Sequence, residues 1–165
     1  MTQKAAFTPE EWTLLRIVPS LVSGGVSAAD AGGIISAFKE AAAGMKAMYD
    51  TLHQSNLELM KALFEDRSRP DMPDPKGLLG EGSREQQIAN FKAAVVDQIN
   101  RAVSILGQKA MPEEALAYKQ MLMQVAERAA NAASEGGFLG FGGVRVSDAE
   151  KAFLTELSAM LKMKA

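Results

Sequence analysis

The chain has 165 residues, a formal charge of −2, 47% hydrophobic and 23% charged residues, values of an ordinary globular domain that exclude a disordered segment. The near-balanced charge removes the electrostatic case for nucleic acid, which needs a basic face. Cysteine is absent, which excludes disulfides, thiol nucleophiles, iron–sulfur clusters and thiolate zinc sites.

From the start, Met1 to Glu11 carries one cation and then acids, with no apolar run of signal-peptide length. No stretch of about eighteen apolar residues follows anywhere, so no transmembrane segment is expected and the protein reads as cytoplasmic. The first helix start is Thr8–Glu11, a capping box with Pro9 at the first helical position. Pro19 should kink or end that helix, because its ring clashes with the preceding turn and it has no N–H. Ser27–Asp30 reads as the next start. Ile35, Phe38, Ala42, Met45, Tyr49 and Leu52 then fall three or four apart, one apolar stripe of a second helix. The stripe slips at His53-Gln-Ser-Asn56, where a break is expected before Leu57, Met60, Leu63 and Phe64. Residues 67–82, with three prolines and three glycines, read as a surface loop within one domain spanning 1–165.

Ser83–Gln86 opens a helix whose stripe is Ile88, Phe91, Val95, Ile99, Ala102 and Leu106. Pro112 with Glu113 and Glu114 opens another, striped by Tyr118, Leu122, Val125, Ala129 and Ala133. Ser147–Glu150 opens the last, striped by Ala152, Phe153, Leu157, Met160 and Leu161. The fold class that follows is all-α, a single-domain bundle of about five helices. Gly24 to Ala31 matches Gly142 to Ala149 at Gly, Gly, Val, Asp and Ala, a faint repeat that a duplicated helix–loop–helix unit would leave.

Glu135 to Asp148 is the most unusual stretch, five glycines interleaved with Phe138, Leu139 and Phe141, then Arg145 and Ser147. Its bland interpretation is a connection whose glycines supply positive φ and whose rings plug the end of the bundle. Two sharper alternatives exist. Backbone N–H groups, Arg145 and the following helix start would hold an anion or small ligand, or the three apolar residues would be exposed anchors for a partner helix or a lipid surface. The stretch lacks a P-loop ending and follows a helix, so it is no nucleotide fingerprint. His53, the single histidine, has no nucleophile or orienting acid in its sequence context and reads as a residue of a polar helix face. The ten methionines, with Met45/Met48 and Met160/Met163 as spaced pairs, read chiefly as core filling.

Phe7-Thr-Pro-Glu-Glu-Trp12, Tyr118-Lys-Gln with Val125-Ala-Glu-Arg, and the glycine-rich run ending in Val-Ser-Asp-Ala-Glu-Lys151 resemble a group of small bacterial all-helical proteins that carries no established activity. More remotely, the turn and the Val146-Ser-Asp-Ala-Glu150 helix start resemble the tellurite-resistance B-like helical family. That family has an Ala-Asp-Gly turn where this chain has Ser134-Glu135-Gly136, followed by an inserted Phe-Leu-Gly-Phe-Gly-Gly. The resemblance implies a divalent metal as cofactor, with Glu135, Asp148 and Glu150 as its ligands. Without it, no cofactor is expected. With no reactive set in the sequence, the leading expectation is a non-catalytic helical module that contacts a protein partner or forms a homo-oligomer.

Overall fold

A computed structural model describes residues 2–29, 34–134 and 146–162. Among them the chain is all-helical, with no strand. After a 3-10 turn at Lys4–Ala6 come α1 (Pro9–Ala29), α2 (Ile34–Gln54), α3 (Glu58–Glu65), α4 (Pro75–Leu79), α5 (Arg84–Lys109), α6 (Pro112–Ser134) and α7 (Asp148–Met160). These are seven α-helices rather than about five. One addition is α3, separated from α2 at the expected break; the other is α4, a five-residue helix inside the stretch expected to be loop. Asp74 caps α4 by accepting from the Lys76 N–H, and Pro75 sits at its first position. Gly80 ends it at φ 65°, a conformation that favours glycine.

α1 touches α2, α5, α6 and α7. Leu15, Val18, Val22 and Val26 are buried against the inner faces of its neighbours, and so are Leu14, Ile17 and Leu21 around the rest of its circumference. A helix apolar around most of its circumference belongs in the middle; Thr13, Arg16 and Ser20 make up its remaining, half-buried face. The α5 stripe buries Val95, Ile99, Ala102 and Leu106; that of α6 buries Tyr118, Leu122, Val125 and Ala129.

Pro19 neither ends nor interrupts α1. Having no N–H, it leaves the Leu15 carbonyl four residues back without its helical donor. The fully buried Tyr118 hydroxyl of α6 donates to that oxygen at 2.6 Å. The gap in one helix is thus filled by a side chain of another, and burial pushes the Tyr118 hydroxyl far above the usual tyrosine range.

Four further expectations are corrected. Ser27 is not a cap; it lies inside α1 and its hydroxyl donates to the Ser23 carbonyl, the back-bond a mid-helix serine makes. Gly24 and Gly25 therefore belong to α1 rather than to an inter-helix turn, which removes the first half of the faint repeat. The second half, Gly142 and Gly143 included, lies mostly outside the described residues. Gly25 instead makes room for a ring: a Cβ there would stand 2.8 Å from Phe153 Cζ. In α2 the predicted stripe holds at the buried Leu52 and at Met45, which packs against the core, but Tyr49 is 47% exposed while Ala47 and Met48 beside it are buried; the side chains of Ile35, Phe38 and Ala42 lie outside the described residues. Close to this face stands Gly44, at which a Cβ would lie 2.6 Å from Ser23 Oγ and 3.2 Å from Val125 Cγ1. Three helices meet on a residue that a scan for apolar side chains passes over. Ala152 likewise proves exposed, one position off the buried Phe153 and Leu157.

Candidate functional site

Helix α3 has eight residues and no capping side chain at Leu57, its N-cap. Its ends are held from a distance. At the start, the Glu114 carboxylate of α6, 1% exposed, accepts the Leu59 N–H at 3.1 Å. It also accepts the Met111 N–H at 3.2 Å and the Thr2 N–H at 3.2 Å on each oxygen. Burial alone would push its pKa up, but the Thr2, Leu59 and Met111 donors outweigh that and hold it below the usual range. A negative group at two helix N-termini also meets the positive end of each dipole.

At the other end of α3 the sign reverses. Arg16 of α1 donates to the Asp66 carbonyl at 3.0 Å and to the Ser68 carbonyl, a cation at a helix C-terminus. The Asp66 carboxylate accepts from Lys4 Nζ at 2.7 Å, from Ser68 Oγ at 2.5 Å and from Trp12 Nε1 at 2.8 Å. Arg16 Nη1 lies 3.4 Å from it. Lys4, then Ser68 and Trp12, hold this carboxyl well below the ordinary aspartate range. These bonds pin the segment that follows α3 across α1.

Beside that strap lies a groove of about 380 Å³, within the size range of ligand sites. Its floor is apolar: Leu15, Met48, Leu52, Leu63 and Met121, all buried. Tyr49 and Met72, which is 51% exposed, stand on the rim. Four of the ten methionines line it, Met45 completing the set; their unbranched, polarisable side chains adapt to varied partners. Arg16, Arg67 and Arg69 add three cations against the single carboxylate of Asp66. A second, more apolar hollow of about 590 Å³ continues along α1 past Ser20 and Met72 to Gly24, Leu78 and Phe91. Chemically this arrangement can shelter apolar side chains next to positive charge. The Ser68 hydroxyl touches a carboxylate, but one already neutralised by Lys4 and Arg16 is a poor general base.

Of the residues expected to carry function, Glu135, Phe138, Leu139, Phe141 and Arg145 lie outside the described residues. Ser147 caps α7 by accepting the Glu150 N–H at 3.2 Å, and Glu150 closes the box by accepting the Ser147 N–H at 2.7 Å. The other Glu150 oxygen is buried without a hydrogen-bond partner among the described residues. Asp148 is exposed and pairs with Lys151 at 3.1 Å. Among the described residues no three His, Asp or Glu side chains gather in a metal-holding group. His53 is exposed at the end of α2, edge-on to Phe64 at 5.4 Å.

The groove, Arg16, Asp66 and the long-range role of Glu114 were not anticipated. Their signals were faint: the proline alternation of Arg69-Pro-Asp-Met-Pro-Asp-Pro75, which marks an extended strap, and the methionine count. No family model, curated protein or solved structure matches this chain. No helix among the described residues is long and apolar enough to cross a membrane.

Proposed function

We propose that the protein is a single-domain helical bundle without catalytic activity, acting in the cytoplasm as a docking module for a short apolar segment of a partner protein. The observation that carries this is the methionine-lined groove between α1, α2 and α3, with exposed Tyr49 and Met72 at its edge. Exposed apolar surface around a concave floor is what interaction sites present, and methionine suits a surface that accepts more than one sequence. The test is selection of a displayed peptide library on the folded chain, followed by binding to Met72→Asp, a rim change that spares the core. The selected peptides should share apolar anchors and lose affinity for the variant. Peptides that bind both forms equally would place docking elsewhere.

A second function, divalent-cation binding by a tellurite-resistance-like helix start, is favoured by the buried Glu150 oxygen that has no partner among the described residues. A thermal midpoint that rises with added divalent metal in the wild type and not in Glu150→Gln would support it, since a ligand of the native state stabilises by mass action. A metal-insensitive midpoint would remove it.

A further inference from the structure

We infer that the groove prefers a peptide segment in which apolar anchors lie beside carboxylates, with Arg67 and Arg69 as the residues that set this preference. The inference rests on the docking function proposed above and names the partner's chemistry. It starts from charge. Arg16 is committed to Asp66 and Ser68, and Asp66 is matched by Lys4 as well. Arg67 and Arg69 form no ion pair among the described residues. Glu65 and Asp71 flank them in sequence and neither pairs with them. A chain of net charge −2 thus places two unmatched guanidiniums at the mouth of its apolar groove.

Position adds to charge. The Arg67 guanidinium lies 4.6 Å from the Phe64 ring centroid, a stacking contact that restrains it at the groove rather than leaving it to sweep the solvent. Guanidinium forks match carboxylates in two-point geometry. A peptide is favoured over a lipid by the strap itself. Among the described residues no backbone–backbone hydrogen bond involves 67–73; Asp66 and Arg16 take the Ser68 N–H and carbonyl, and the N–H groups of Arg67, Arg69, Asp71 and Met72 have no partner among the described residues, which suits a ligand with carbonyls to offer. Acyl chains have no such groups, and peptide backbones do.

Fluorescence anisotropy with three short peptides tests this. All carry the same two leucines, followed by two aspartates, two serines or two lysines. The wild type should bind the aspartate peptide about three- to tenfold more tightly than the serine peptide, and the lysine peptide least, since exposed ion pairs contribute modestly. The preference should shrink at high salt. Arg67→Ala/Arg69→Ala should remove the difference between the aspartate and serine peptides, and Arg67→Lys/Arg69→Lys should keep most of it. Equal binding of all three peptides by the wild type overturns the charge preference and leaves docking standing. Binding of none of them overturns docking and this inference together. Binding of anionic lipid vesicles, lost in the alanine variant and unaccompanied by peptide binding, overturns the peptide in favour of a membrane surface.

Discussion

Two carboxylates hold opposite ends of α3, and the contrast between them separates a sealed internal anchor from a charged cluster beside the groove. Glu114 is sealed: its oxygens take backbone N–H groups from the N-terminal segment, from α3 and from its own helix. Asp66 sits at the surface end of the same short helix, among Lys4, Trp12, Ser68 and Arg16, and borders both the groove and an adjoining hollow. The first satisfies orphan donors that would otherwise be buried unpaired; the second arranges charged side chains beside solvent. A buried carboxylate fed by backbone amides cannot be altered without leaving those amides stranded. The Asp66 cluster, whose Arg16 and Asp66 side chains are 12% and 10% exposed, also contributes to stability, but it borders the groove as Glu114 does not.

Removing Glu114 should break the comparison most severely. Glu114→Ala leaves the Thr2, Leu59 and Met111 N–H groups short of an acceptor and is expected to cost about 3 kcal/mol or more in urea unfolding. Glu114→Gln, which keeps one carbonyl acceptor, should cost less. Tyr118→Phe comes next, at about 1–2 kcal/mol, because the Leu15 carbonyl loses its donor. In a Pro19→Ala background the same change should cost less, since residue 19 then supplies a helical N–H to that carbonyl; a double-mutant cycle reads the difference. Gly44→Ala belongs in the same range, about 1–3 kcal/mol, from crowding against Ser23 and Val125.

Acid should weaken both carboxylate clusters. Asp66 and Glu114 are each held below their ordinary values in the folded state, so the unfolded chain takes up protons first as pH falls. Their stabilisation is present in full above the unfolded carboxylate range, near about pH 5, and is lost as pH drops through about 4 toward the depressed native values. Unfolding midpoints measured across that window should fall less steeply for Glu114→Gln than for the wild type. The smallest expected effect is that of Asp148→Ala. It removes an exposed pair with Lys151 and should leave the midpoint unchanged within error.

Much of the helical scaffold was legible because helices with one dry face advertise it. The stripes of α5 and α6 matched buried residues from Val95 to Leu106 and from Tyr118 to Ala129, and the capping boxes at Thr8, Ser83 and Ser147 formed as read. Ser27 misled because a serine in mid-helix and a serine at a cap look alike until the backbone around them is known. In α2, Tyr49 was misplaced on the inner face, and Gly44 was passed over because it contributes to packing by having no side chain. Glu114 looked like any acid in a first helical turn; its burial depends on Thr2, 112 positions away, and Leu59, 55 positions away. The groove was illegible for a similar reason: its floor is assembled from α1, α2, α3 and α6, each contributing one or two residues with no local pattern.

The central claim, that partner segments dock in the methionine-lined groove, is tested most directly by NMR of the chain labelled at the methionine methyl carbons. On titration with the leucine–aspartate peptide, the signals of Met45, Met48, Met72 and Met121 should shift together and saturate, while that of the fully buried Met60 stays still. Shifts confined to Met111, which is exposed and does not line the groove, or no shift at any methyl, would contradict it.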